Sequence, residues 1–162
     1  MGKIPASLVN LKGNSLYLIL SHNSLSGELP ATFAGIDFGK LDLSRNRLQG
    51  DASLVFGRNK STYHIDISRN QFEFDLSKVD FNESSTTLDM NHNKIYGSIP
   101  NAVESLRFLN VSYNRLCGEI PVRALVVVRA LVPLLPTSCN ENITKSYLIL
   151  WTKLLIGGRR VQ

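Results

Sequence analysis

The chain has 162 residues, 43% of them hydrophobic and 19% charged, which is ordinary for a soluble globular unit. Its net charge of +5 lies entirely in the last quarter: residues 1–121 hold 12 Lys and Arg against 12 Asp and Glu, and residues 122–162 hold 6 against 1. Nucleic-acid binding inferred from the global charge is therefore excluded for the main body.

The chain opens on MGKIPASLVNLKG, which lacks an uninterrupted apolar run and does not read as a signal peptide. Its KIPASLVNLKG portion looks like the back half of a unit that then recurs. Five segments align from there: LYLILSHNSLSGELP from Leu16, GKLDLSRNRLQGDAS from Gly39, YHIDISRNQFEFDLS from Tyr63, TTLDMNHNKIYGSIP from Thr86 and RFLNVSYNRLCGEIP from Arg107. Their asparagines, Asn23, Asn46, Asn70, Asn93 and Asn114, are spaced 23, 24, 23 and 21 residues apart, inside the 20–29-residue window of leucine-rich repeats. One LxLxxN is a common accident, but five at near-constant period define an architecture.

Each position in the unit has a physical task. The LxL core predicts a short strand whose two apolar side chains share one face: Leu18/Leu20, Leu41/Leu43, Ile65/Ile67, Leu88/Met90 and Leu109/Val111. The asparagine can donate and accept, so stacked copies can satisfy backbone groups that would otherwise be buried unpaired. Leu25, Leu48, Phe72, Ile95 and Leu116 refill the core, and Gly27, Gly50, Gly97 and Gly118 permit the bend that follows. Phe74 replaces glycine in the third unit, so a different turn is expected there. The expected fold is an α/β-type solenoid, a right-handed leucine-rich repeat superhelix with a concave parallel β-sheet and a convex side of 3₁₀ or irregular structure. It should occupy residues 1–121.

Beyond Val122 the periodicity ends. Residues 122–162 form a basic, apolar tail of uncertain structure. Its stretches ALVVVRALVPLL and YLILWTKLLIG are interrupted or too short for the roughly 20 residues of a membrane span, so no transmembrane helix is expected. Cys117 and Cys139 are too few for a disulfide framework and match no zinc spacing, and whether they pair stays open.

Strand alternation assigns the concave surface as four columns. The first is Tyr17, Lys40, His64, Thr87 and Phe108; the second is Ile19, Asp42, Asp66, Asp89 and Asn110. The third is Ser21, Ser44, Ser68, Asn91 and Ser112, and the fourth, beside the turn, is His22, Arg45, Arg69, His92 and Tyr113. Any one of these residues is more readily a solvated sheet position than a contact. As a set, aromatic rims with mixed charge suit a protein-docking surface. The partner-binding candidates are the first, second and fourth columns apart from Asn110. Lys40, Arg45 and Arg69 are expected to offset the stacked aspartates. All three histidines lie on or beside this face, so partner binding should vary between pH 5 and 7. Asp42 and Asp66 would stand at about the 5–5.5 Å of retaining glycosidases. Any acidic ladder has that spacing, and an open sheet offers no desolvated pocket to split their pKa values. No HExxH, P-loop, GxSxG or kinase signature occurs. No catalytic residue, metal ligand or cofactor is assigned.

The extension LSGELP, IYGSIP and LCGEIP resembles the plant-specific leucine-rich repeat. The run DFGKLDLSRNRLQGDASLVFGRNKSTYHIDISRNQFEFDLSKVDF, with LDMNHNKIYGSIP and FLNVSYNRLCGEIP, resembles plant polygalacturonase-inhibiting proteins over about residues 4–121. That resemblance implies a secreted cell-wall protein of plant defence whose concave face binds fungal endo-polygalacturonase, with pectin as a further candidate ligand. It also implies truncation. Members have about ten repeats behind a signal peptide and a cysteine-bearing cap, and they end in a cysteine-rich cap unlike VRALVVVRALVPLL. Competing readings are a fragment of a receptor-like ectodomain that recognises a peptide or co-receptor, and a non-functional truncated gene product. Sequons stand at Asn59, Asn82, Asn110 and Asn142; Asn59 and Asn82, in expected convex loops, are the better glycosylation candidates.

Overall fold

The computed structural model describes residues 2–10, 16–82 and 85–118. Residues 122–162, and with them Cys139 and Asn142, lie outside the described residues. The expected strands all form. In chain order they are β1 (Leu16–Ile19), β2 (Ser26–Gly27), β3 (Phe38–Asp42), β4 (Arg47–Gly50), β5 (His64–Asp66), β6 (Gln71–Phe72), β7 (Thr87–Asp89), β8 (Tyr96–Gly97), β9 (Phe108–Asn110) and β10 (Arg115–Leu116).

The odd-numbered strands make one five-stranded parallel sheet in the order β1-β3-β5-β7-β9. Parallel neighbours need a crossover, and each coil supplies it as a short return carrying a 3₁₀ turn. These turns span Ala6–Asn10, Ala31–Gly35, Ser53–Val55, Leu76–Lys78 and Asn101–Ser105. The even-numbered strands form a second parallel ribbon in two parts, β2-β4-β6 and β8-β10.

The break in that ribbon falls where Phe74 stands in place of glycine. Gly27, Gly50, Gly97 and Gly118 have φ between +78° and +86°, a region that disfavours any Cβ. Phe74 does not adopt it. Its ring is buried instead, and the chain continues as an isolated bridge between Asp75 and Tyr96. The neighbouring Gly97 is required there for a second reason, since a Cβ would lie 2.1 Å from Asp75 Oδ1.

The core is a single column of apolar side chains running through the coils. Leu41, Leu43, Ile65, Ile67, Leu88, Met90 and Leu109 are closed off from solvent, as are Leu48, Phe72 and Ile95 behind the asparagine turn. Phe33, Val55, Leu76 and Val103 close the core from the convex side, and Phe38, at the start of β3, packs edge-on against Phe33. In the first coil Leu20 and Leu25 are only partly buried. Cys117 is disulfide-bonded.

The asparagines hold the coils together. Asn46 Nδ2 donates to Leu43 O and Ser44 O of its own coil and to Leu20 O of the preceding one, and its Oδ1 accepts from Leu25 N at 3.0 Å. Asn70, Asn93 and Asn114 repeat the pattern with Leu43 O, Ile67 O and Met90 O behind them, and with Leu48 N, Phe72 N and Ile95 N. On the convex side Lys60 Nζ plays a similar part. It donates to Phe33 O at 3.1 Å and Ile36 O at 2.8 Å, closing the preceding coil's 3₁₀ turn.

Candidate binding face

The strand register places the sequence columns side by side. Tyr17 pairs with Lys40, Lys40 with His64, His64 with Thr87 and Thr87 with Phe108. One step along, Ile19 pairs with Asp42, Asp42 with Asp66, Asp66 with Asp89 and Asp89 with Asn110. Parallel neighbours are about 4.8 Å apart, so each column is a ladder of adjacent side chains.

The second and third columns act on each other. Asp42 Oδ1 accepts from Ser44 N at 3.0 Å and Ser44 Oγ at 2.7 Å. Asp66 Oδ1 takes Ser68 N at 2.9 Å, Asp89 Oδ1 takes Asn91 N at 3.1 Å, and Asn110 Oδ1 takes Ser112 N and Oγ. Each is a local side-chain bond to the backbone two residues on, the arrangement that Asp and Asn favour in turns. Ser44 and Ser68 are buried by it and do not stand on the exposed surface. The aspartates therefore hold the end of each strand, and Asn110 performs the same task without a charge.

This corrects the expected electrostatics. Among the described residues, Lys40, Arg45 and Arg69 form no ion pair with the aspartates; the salt bridges found there, Arg58–Asp80, Lys78–Asp75 and Arg115–Glu73, lie elsewhere. Serine and backbone donors stabilise the carboxylates instead. Asp66, the middle rung, still has its carboxyl pushed above the usual range, chiefly by burial, with Asp89 and Asp42 adding to the rise against the Ser68 bonds.

Two of the three histidines are also altered. Burial and the adjacent Lys40 hold His64 below the ordinary imidazole range, against the pull of Asp66, Asp42 and Asp89. Burial and Arg69 do the same to His92, opposed by Asp89. His92 stacks on Tyr113 with ring centroids 4.0 Å apart, and its Nδ1 lies in hydrogen-bond contact with Asn91 Oδ1. The expected protonation of these two rings accordingly moves to lower pH.

Tyr63 belongs to the face although column reading omits it. It precedes β5 in the position that Gly39 occupies in the coil before. Gly39 has no side chain, so Tyr63 reaches across it to Tyr17, edge to face with centroids 6.2 Å apart. A hydrogen bond between the two phenols raises the Tyr63 pKa. Tyr17 and Ile19 remain 61% and 57% exposed, an apolar corner at the β1 end of the sheet. The signal for this pair was a tyrosine two coils from a tyrosine with glycine between them.

The sequons separate by their engagement. Asn59 is exposed in a turn. The Asn82 amide donates to Arg58 O, and the Asn110 amide donates to Asp89 Oδ2 at 3.2 Å while accepting from Ser112. Among the described residues there is no cluster of three or more His, Cys, Asp or Glu that could hold a metal ion, and no helix is long and apolar enough to cross a membrane.

Coils of this length, with a strand, an asparagine turn and a 3₁₀ return in each, make the chain a leucine-rich repeat protein. The family model described as Leucine Rich Repeat matches residues 14–36, 84–106 and 105–123. The chain is 59% identical over 88 residues to polygalacturonase inhibitor 1 of Arabidopsis thaliana, covering 53% of this chain and 27% of that protein. It is 55% identical over 117 residues to polygalacturonase inhibitor 2 of the same plant, covering 62% and 36%. The chain thus spans about a quarter to a third of these curated relatives. Among solved structures it is similar to a plant ice-binding protein, with TM-score 0.72, 41% identity, 83% of this chain and 47% of that one. It is also similar to the ectodomain of the Arabidopsis receptor kinase HAESA in complex with a peptide hormone ligand, with TM-score 0.66, 29% identity, 82% and 23%. In fold the chain is a leucine-rich repeat solenoid, and in sequence it is similar to these plant polygalacturonase inhibitors.

Proposed function

We propose that residues 1–121 form a binding module that docks an endo-polygalacturonase on its concave face and inhibits it, in the plant cell wall. The observation that carries this reading is the 55% identity over 117 residues to a protein named as a polygalacturonase inhibitor. Receptor ectodomains share the solenoid at 29% identity, so their peptide-binding role ranks below it. The ice-binding protein, at 41%, also ranks below the inhibitors. The face adds physical support. It is open, carries exposed tyrosines and arginines of the kind that dominate protein interfaces, and is braced from behind by a packed core. The proposed contacts are Tyr17, Ile19, Lys40, His64, Thr87 and Phe108 with the turn-side residues His22, Arg45, Arg69, His92 and Tyr113. Asp42, Asp66 and Asp89 take part mainly by holding the strand ends.

No role in chemistry is proposed for the aspartates. Each accepts from the backbone two residues on and so serves to hold the end of its strand. The test is inhibition of a panel of fungal endo-polygalacturonases by the purified 162-residue chain, followed as reducing-end release from polygalacturonate. Saturable inhibition of at least one enzyme is expected. Full activity of the whole panel at a large excess of the chain would reject the reading.

A further inference from the structure

Tyr17 and Tyr63 come from coils that are not neighbours. Tyr17 pairs with Lys40 and Lys40 with His64, so the residue before His64 lies two coils from Tyr17. Gly39 holds the matching place in the coil between, and with no side chain there the two rings meet across it. They pack edge to face with centroids 6.2 Å apart, and their hydroxyls are hydrogen-bonded to each other. Both rings stay open to solvent, Tyr17 61% and Tyr63 41% exposed.

Contact and access together permit one kind of chemistry. A ring pair in the core is closed to a bulky oxidant, and a lone surface tyrosine has no phenol beside it. The other exposed tyrosines are placed differently: Tyr113 is stacked on His92, and Tyr96 lies in β8 on the second ribbon. A peroxidase takes one electron and one proton from each phenol, leaving two phenoxyl radicals with spin on the ring carbons ortho to oxygen. Two such carbons form a C–C bond, and their hydrogens then move to the oxygens as both rings regain aromaticity. The product, dityrosine, is two hydrogen atoms lighter than the pair. The two electrons and two protons removed reduce one hydrogen peroxide to two waters.

We infer that Tyr17 and Tyr63 are a modification site, coupled to dityrosine within one chain by a peroxidase and hydrogen peroxide. Each reacting carbon adjoins the carbon bearing the hydroxyl, so the phenol contact already brings the two near. Rotation of the exposed Tyr17 ring completes the approach. The new bond ties the first coil to the third. Among the described residues β1 is an edge of the five-stranded sheet, and Leu16, Leu20 and Leu25 of its coil are only partly buried. The link therefore acts where packing is least complete. By closing a long loop of the unfolded chain it stabilises the fold as a disulfide does. The coupling needs no partner on the concave face, so it stands or falls apart from the binding role proposed above.

The experiment treats the dilute full chain with a haem peroxidase and hydrogen peroxide, then isolates monomer by size exclusion. Peptide mapping should find the Tyr17 and Tyr63 peptides joined with the loss of two hydrogens, and the monomer should show dityrosine fluorescence. Tyr17→Phe and Tyr63→Phe keep the ring but lose the phenol; each should melt as the untreated wild type yet form none of this product. Tyr96→Phe and Tyr113→Phe should leave its yield unchanged. The coupled monomer should melt at least about 5 °C above the untreated chain. Tyr17 and Tyr63 peptides recovered unlinked, or joined instead to other tyrosines, overturn the inference. So does dityrosine confined to dimers, or a full yield from Tyr63→Phe. A joined monomer that melts no higher overturns the bracing of the first coil.

Discussion

Replacing Asn70 with alanine probes the joint between coils more severely than the same change at Asn23, and the structure sets the size of the difference. Asn70 Nδ2 donates to Leu43 O at 2.9 Å, Ser68 O at 3.1 Å and Ile67 O at 3.2 Å, while its Oδ1 accepts from Leu48 N at 3.0 Å. Leu43, Ile67 and Leu48 are fully buried residues, so water cannot readily replace the amide. Orphaning a buried donor or acceptor costs about 1–3 kcal/mol each. With Leu48 N and Leu43 O as the two groups most dependent on Asn70, the loss should be roughly 2–6 kcal/mol. Asn23 is exposed and, among the described residues, bonds Leu20 O and Ser21 O, in its own coil. Its loss should stay below about 1 kcal/mol. Urea unfolding of the two variants beside wild type measures both values. Equal destabilisation by Asn70→Ala and Asn23→Ala would refute the reasoning that inter-coil bonds, and not the turn alone, give the asparagine its role.

Three further outcomes are expected. Asp66→Asn should change stability by no more than about 1 kcal/mol at pH 7, because the amide can keep the Ser68 bond as Asn110 keeps that of Ser112, whereas Asp66→Leu should lose it and cost more; chemical denaturation compares them. His64 and His92 are held below the ordinary imidazole pKa, so just below pH 6.5 the unfolded chain binds more protons than the folded one. Their contribution is complete above that pH and is lost as pH falls through the folded values; melting curves from pH 7.5 to 5 should drop less for His64→Gln than for wild type. Secretion from a plant host should attach a glycan at Asn59 and leave Asn110 bare, because the Asn110 amide is bonded to Asp89. Mass mapping of glycopeptides, with Asn59→Gln as control, decides that.

Much of this architecture was legible because a solenoid converts sequence period directly into register. Once Asn23, Asn46, Asn70, Asn93 and Asn114 are aligned, the pairs Lys40–His64 and Asp42–Asp66 follow, and the strand register has both. The altered turn at Phe74 was visible for the same reason. What alternation could not convey was where side chains fold back. Reading every second residue as solvent-facing put Ser44 and Ser68 on the surface, yet the Asp-x-Ser and Asp-x-Asn spacing repeated in coils two to four was the available signal for a local bond. The left-handed residues before the ladder asparagines, His22, Arg45, Arg69, His92 and Tyr113, gave less warning. His, Arg and Tyr are poor markers of positive φ, and only the need to turn the asparagine inward requires it. Tyr63 escaped because its contact depends on the missing side chain of Gly39, a feature of the space between coils.

The account turns on the concave sheet being the surface a polygalacturonase covers. Hydroxyl-radical footprinting of the chain alone and in complex tests it most directly. Tyr17, Tyr63, His64 and Tyr113 should lose labelling on binding, while Tyr96, exposed on the second ribbon, keeps its own. Protection of Tyr96 with Tyr17 and Tyr113 still fully labelled would contradict it.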